Sequence, residues 1–394
     1  MNTKSLQWKY NLLHISYWLC ACSVNGFVAV YLQYKGLSNT FIGLVTGNSC
    51  ILTILVSPVI SSISQGDKSL TIRGILDILF ILSMTIFLLL SFTDVPLAVL
   101  ILCYTGLLCI SLCVVPLLSA IAMNYIHRGA ALNFGFSRGM GSISYAMTAI
   151  FLGRFLEYFS PDILSVIFAL GSIGFLAVAH SLPEQKGICQ TRERASSLFS
   201  VIKNHKILFV ILLGYSFDFA GATTLATYLI NIVKSLGGDT AIYGAAVFIM
   251  ALCEMPAMAL TQKLMKKYTT MHLVMAAGIC YLFRNILICI GGHIVFIFIA
   301  MLFQSMTYGL LTPLLAYYVA DICSSEEEIM GQTLIGVMTS GIGAMVGNIL
   351  GGMLQDSFGM SAMLRFVIVL TVAGSSILIF TGLYYGTNKE ISEK

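Results

Sequence analysis

Four charged side chains stand inside otherwise apolar stretches: Arg138, Asp218, Glu254 and Arg284. A charge at the centre of a bilayer costs on the order of 3 kcal/mol on insertion scales, so each requires a partner, a polar solute or a proton it takes and releases. Arg138 lies in NFGFSRGMGSISYAMTAIFLG, residues 133–153, where glycines, hydroxyls and a tyrosine interrupt an apolar helix. Arg138, Gly141, Tyr145 and Thr148 share one helical stripe, which is expected to face a water-filled pathway. Two readings of Arg138 stand side by side: a solute contact, or an anchor at the cytoplasmic edge that snorkels toward water. Asp218, in LGYSFDFAGATTLATYL (213–229), shares a stripe with Tyr215, Gly221, Ala222 and Leu225, expected to line a cavity. Glu254 and Arg284 fall near the middle of consecutive apolar segments and are expected to meet, as a salt bridge holding helices in register or as part of a transport network.

The elements that must position these groups are set by composition. The 394 residues are 58% hydrophobic and 10% charged, far more apolar than a soluble domain, in which about a quarter of residues are charged. Twelve apolar runs are long enough to cross a hydrocarbon core of roughly 30 Å: 10–34, 41–64, 74–92, 96–123, 135–158, 163–182, 207–233, 241–264, 271–290, 294–320, 333–354 and 362–385. The connections are short, which leaves no soluble domain for an enzyme active site. No Ser/His, paired-Asp or metal-ligand arrangement occurs at helical spacing on facing spans, so neither enzyme nor cofactor is expected.

The net charge of +4 does not point to nucleic acid, because the basic residues are distributed by side. With the N-terminus inside, 16 of the 21 Lys and Arg residues fall on the cytoplasmic side. Lys35, Arg154, Lys234 and Arg365 fall opposite, and Arg284 sits within a span. That asymmetry places both termini in the cytoplasm and requires an even number of spans. The 11 cysteines lie almost all within apolar spans and are read as packing. Leu19 to Cys22 faintly resembles a lipoprotein cleavage site, but the apolar helix continues, so the first helix is expected to remain uncleaved.

A polar break at 183–206 splits the spans six and six and is read as a cytoplasmic linker between halves 1–182 and 207–394. The halves repeat each other at a shift of about 198 residues: Pro58 falls on Pro256, the segment from Tyr31 on that from Tyr228, and LGRFLEYF at Leu152 on LGGMLQDSF at Leu350. Such a repeat predicts a central cavity near the midplane, open alternately to either face. At the ends, Asp77 is expected to pair with Arg73, four residues before it. Asp321 and Glu326 to Glu328 are read as a solvated acidic loop, within reach of Lys263, Lys266 and Lys267.

The twelve spans, the sixfold split and the repeat resemble the major facilitator superfamily across essentially the whole chain. The family's loop signature survives in SSISQGDKSLTIR (61–73) as Asp67, Lys68 and Arg73. Phe134, Gly135, Arg138, Gly141 and Tyr145 are similar to the fifth helix of lactose permease and its relatives, the oligosaccharide:proton symporters, and of the nucleoside and phenylpropionate permeases. GQTLIGVMTSGIGAMVGNILGGMLQDSFG (331–359) resembles their eleventh helix, whose small residues let helices approach closely. The resemblance implies that Arg138 binds the solute, that Tyr145 stacks on it, and that Arg284 belongs to the proton-coupling network. The pattern departs at the tenth-helix histidine and glutamate, which fall on Gln304 and Thr307. It departs also at the acidic partner of Arg138, which falls near Ser119, and at a second fifth-helix arginine, replaced by Phe136.

The reading is therefore an all-α, multi-pass protein of the cell membrane: a secondary active transporter importing a small organic solute, sugar, glycoside or nucleoside-like, with protons. Arg138, Tyr145, Asp218 and Gln304 are the expected solute contacts, and Asp218, Glu254 and Arg284 the expected coupling groups. Its partners are the solute, protons and the bilayer, and a monomer suffices. Efflux of drugs or metabolites, and more remotely a non-transporting receptor, are the alternatives.

Overall fold

The computed structural model describes residues 3–66, 71–183 and 198–392. Asp67 and Lys68 of the loop signature, and most of the 183–206 linker, lie outside them. The described residues form helices and short connections: α1 Thr3–Ala21, α2 Val28–Tyr34, α3 Asn39–Gly66, α4 Ile72–Phe92, α5 Leu97–His127, α6 Phe134–Phe155 and α7 Ile163–Ser181. After the linker come α8 Leu198–Asn204, α9 Lys206–Thr227, α10 Leu229–Ser235, α11 Thr240–Lys267, α12 Thr270–Ile290, α13 Ile294–Leu302, α14 Tyr308–Ile322, α15 Ser325–Gly336, α16 Ala344–Phe358 and α17 Met360–Ser392. Two compact units result: Met1–Thr191 with Asp239–Phe248, and Arg192–Gly238 with Ile249–Lys394.

Among the described residues ten helical stretches are long and apolar enough to cross a bilayer, and α1 with α2, bent by 48°, makes eleven. Phe134–Phe155, 22 residues long and so about 33 Å, has the length, but Arg138, four glycines and three serines lower its apolarity. Together these helices are consistent with the twelve segments. Their outward side chains are apolar: Leu102, Leu170, Val369 and Phe380 are all exposed. Water would not tolerate so much exposed hydrocarbon; lipid does. The chain is a multi-pass membrane protein.

The internal repeat is visible in how α2 and α10 end. Gly36 and Gly237 both adopt positive φ, 86° and 80°, which L side chains resist. Leu37 N donates to Leu32 O (3.0 Å) and Gly238 N to Val233 O (2.9 Å), the six-to-one bond of a Schellman C-terminus. In the second unit α9 and α16 meet through small residues. A Cβ on Gly347 would lie 2.2 Å from the Ala220 carbonyl, and one on Gly351 would lie 2.5 Å from Thr224 Cγ2.

Outside the spans the charges pair differently from expectation. Asp77 meets His180 Nε2 at 3.1 Å, while Arg73 donates to the Leu182 carbonyl. Asp77 takes the longer-range partner because α4 packs on α7 and delivers His180. Lys35 and Asp162 pair at 2.8 Å, with Tyr34 Oη donating to the same carboxylate at 3.0 Å.

The acidic segment at 326–328 is not a loop but the start of α15. Glu327 accepts from Asn204 Nδ2 at 2.7 Å and meets His205 Nε2 at 3.1 Å, whereas Lys263, Lys266 and Lys267 remain exposed. The His205 hydrogen bond, and then that of Asn204, holds the Glu327 carboxyl below the usual carboxylate range. A depressed value stabilises the folded state above the ordinary carboxyl range, and that contribution is lost as pH falls through the depressed value. Glu327→Gln is accordingly expected to lower the melting temperature at neutral pH. The gap from wild type should close when both are melted in acid below that value.

Candidate functional site

In the first unit the site is built on the contact of α1 with α6. Asn133 caps α6, its Oδ1 accepting from Phe136 N at 2.9 Å, which satisfies one of the free amides at the helix start. Side-chain amides and two hydroxyls then tie the two helices together. Asn133 N donates to Gln7 Oε1 (2.7 Å), Ser137 Oγ to Asn11 Oδ1 (2.6 Å), and Ser144 Oγ to the Ile15 carbonyl (2.8 Å).

Gly141 is required by this packing. A Cβ there would fall 2.1 Å from Trp18 Cδ1, so only glycine lets the indole lie against α6. Arg138 uses the surface thus created: its Cζ is 4.0 Å from the Trp18 ring centroid, and Nη1 donates to Ser142 Oγ at 2.9 Å. Among the described residues Arg138 forms no ion pair. Tyr145 stands edge-on to Trp18, centroids 6.1 Å apart at 72°, with its hydroxyl against Gly26. The stripe of Arg138, Gly141 and Tyr145 therefore gathers around an indole on α1. Gly141→Val would force that ring away and is expected to cost about 1–3 kcal/mol, read as a lower melting temperature and an altered Trp18 emission.

His14 completes this cluster. Tyr10 Oη donates to the Leu118 carbonyl at 2.8 Å, so its oxygen accepts from His14 Nε2 at 3.0 Å. The other ring nitrogen, Nδ1, is buried without a partner, as is Trp18 Nε1.

In the second unit the tenth segment is broken. α13 ends at Leu302, a 3-10 turn covers Phe303–Ser305, and α14 begins at Tyr308. Thr307 Oγ1 donates to the Phe303 carbonyl at 3.1 Å, which also accepts from the backbone N–H groups of Met306 and Thr307. Gln304 sits in the break and donates to Glu254 Oε1 at 2.8 Å. Gly309 permits the approach, since a Cβ there would lie 3.2 Å from Glu254 Cα.

Two expectations are corrected here. Glu254 and Arg284 do not form a salt bridge: Arg284, 1% exposed, donates from Nη1 to Asn285 Oδ1 at 2.8 Å, and its Nε is buried without a partner. Glu254 lies within electrostatic reach of the guanidinium, but its bond from Gln304 holds it on the tenth segment. Asp218, for its part, lines no open cavity. It is fully buried at the seam of α9 with α17, accepting from Ser375 Oγ at 3.0 Å, and a Cβ on Gly374 would lie 2.9 Å from its Cγ. One turn before Ser375, Thr371 Oγ1 accepts from Asn285 Nδ2 at 2.9 Å. Thr371 and Ser375, at i and i+4 of α17, thus join the Arg284–Asn285 pair and Asp218 to one polar seam.

Structure therefore gathers Arg138 with Tyr145, and Gln304 with Glu254. It adds His14, Trp18, Asn285, Thr371 and Ser375, which sequence reasoning missed. Thr371 and Ser375 carried a signal, two hydroxyls one turn apart in an apolar helix; Trp18 carried none, because its partner glycine is 123 residues away in sequence.

An all-helical, multi-pass chain with a guanidinium on an indole and the Asp218 carboxylate buried within a span has the build of a membrane transporter. The chain belongs to the MFS_1 like family, whose model matches residues 7–366; this family comprises transporters and not enzymes. It is 21% identical to a maltose permease of Geobacillus stearothermophilus over 269 residues, 68% of this chain and 67% of that one. Among solved structures it is similar to a variant of the nucleoside transporter NupG, with a TM-score of 0.78 at 15% identity over 97% of this chain and 99% of that one. It is similar also to a D-xylose-proton symporter, with a TM-score of 0.69 at 14% identity over 98% and 97%.

Proposed function

We propose that this protein is a proton-coupled importer of a small organic solute across the cell membrane, with the solute recognised at Arg138 and Tyr145. The observation that supports this most is the guanidinium itself. It stands on α6, forms no ion pair among the described residues, is laid on an aromatic face and is held by a single hydroxyl. A cation kept so lightly compensated is available to oxygen atoms of a solute at little cost in broken bonds. The maltose permease and D-xylose-proton symporter among its similar proteins agree with a polyhydroxylated or ring-bearing solute and with proton coupling.

For coupling, the reading assigns Glu254, Gln304 and Arg284 to one group and Asp218 to a second. Glu254 is bonded to an amide that a protonated or an ionised carboxyl can both accept from, and it is near a guanidinium without being locked to it. Protonation changes the relative energies of the inward-open and outward-open states, so solute and proton share one equilibrium. Proteoliposomes with an inside-alkaline pH gradient test this directly. Uptake of a labelled solute should rise above its equilibrium level and collapse on adding a protonophore. Uptake that ignores the gradient would refute the coupling, and net export down the same gradient would refute import.

A further inference from the structure

We infer that Arg284 and Tyr281 hold a small inorganic anion, a halide such as chloride, inside the second unit, where it serves as the counter-charge of the buried guanidinium. Both side chains are 1% exposed. They stand three residues apart on α12 and so share one face of that helix. Each presents a donor that meets no acceptor among the described residues: Arg284 Nε and Tyr281 Oη. Tyr215, whose ring centroid lies 6.1 Å from that of Tyr281, pairs its hydroxyl with Thr312 Oγ1 at 3.3 Å instead.

Charge decides what class of ligand these donors take. Arg284 Nη1 donates to the neutral Asn285 Oδ1 at 2.8 Å, and the guanidinium forms no ion pair among the described residues. The two carboxylates of the neighbouring spans are held by other bonds: Glu254 accepts from Gln304 at 2.8 Å and Asp218 from Ser375 at 3.0 Å. A guanidinium taken out of water without a counter-charge is costly. A water molecule that accepted from Nε and Oη would satisfy both donors and leave the charge as it was, whereas a halide satisfies both and neutralises it. Size points the same way. Tyr281, Arg284 and Asn285 are all buried, so an organic acid has no approach, and a monatomic ion needs little more room than a water. Glu254 lies within electrostatic reach of Arg284; its ionised carboxyl and the anion therefore compete for one guanidinium.

The inference goes beyond the transport reading and is tested without it, by equilibrium binding of radioactive chloride to the purified full-length protein. Ionic strength is held constant with gluconate, an anion too large for the site. Wild type is expected to show one saturable class of site that bromide displaces and gluconate does not. Arg284→Gln and, separately, Tyr281→Phe should each weaken binding about tenfold or more, the loss of a hydrogen bond to a charged group. Tyr281→Phe removes one oxygen atom and keeps the ring, so it reads the site even where Arg284→Gln fails to fold. Glu254→Gln, which withdraws the competing charge, should tighten binding.

Absence of saturable chloride binding in the wild type would overturn the inference and leave water on the two donors. So would binding that survives Tyr281→Phe undiminished, or that is unchanged or weaker in Glu254→Gln, because either places the ion away from the guanidinium. Chloride bound as expected by a protein that moves no solute would refute transport and leave the anion site standing.

Discussion

Arg138→Gln is expected to lower solute uptake into proteoliposomes by about 10- to 100-fold, the loss of a charge-assisted hydrogen bond of roughly 1.5–3 kcal/mol. Arg138→Lys is expected to fall between that variant and the wild type. The side chain's geometry accounts for both sizes. Its Nη1 bond to Ser142 and its position over Trp18 leave other N–H groups of the guanidinium for a solute. Glutamine can keep the hydroxyl contact but not the charge. Lysine keeps the charge but loses the planar fork and part of the stacking surface. Undiminished transport in Arg138→Lys would return the residue to a membrane-edge anchor. The wild-type melting temperature should be nearly preserved in Arg138→Lys, so the loss of uptake and any loss of fold are read independently.

Glu254→Gln is expected to abolish accumulation driven by a pH gradient while solute exchange between loaded and external pools continues. Gln304 donates to Glu254 Oε1 at 2.8 Å, and the glutamine oxygen of the variant can accept that bond, so local structure is conserved while the titrating group is removed. Exchange needs only that the loaded carrier change sides, whereas uphill uptake needs the proton to be bound and released. Asp218→Asn is expected to behave in the same way, because its amide oxygen can accept from Ser375 Oγ at the α9–α17 seam. If both variants accumulated solute fully, the coupling groups would have to be sought elsewhere in the chain. If only one did, the other would carry the proton.

The charges within the apolar stretches are legible before any fold, because a bilayer makes each intramembrane charge conspicuous. Arg138, Asp218, Glu254 and Arg284 were singled out on that ground alone. What they touch was not legible. Glu254 and Arg284 invited pairing because they are opposite charges on consecutive spans. A broken helix at Phe303–Ser305 instead brings Gln304 to Glu254, and Arg284 turns to the residue next to it in sequence. Asp218 sits on a stripe with Tyr215, Gly221 and Ala222, and small residues there suggested an open cavity. They serve close packing instead: Gly221 meets Thr371, and Gly374 on the facing helix meets Asp218. A stripe of small polar residues has the same appearance whether water or another helix lies against it.

Sequence by itself determined the class of the molecule, the positions of its helices and the internal repeat. Those follow from apolar run length and from recurring residues such as the glycines at 36 and 237, properties local to the chain. Tertiary structure alone decided the partners of each charge. Trp18 against Gly141 is the clearest case: neither residue carries a signal for the other, and only the crossing of α1 with α6 turns an absent Cβ and an indole into a platform for Arg138. Contacts between helices depend on rotation and register, which hydrophobic periodicity leaves open for a helix apolar on nearly every side.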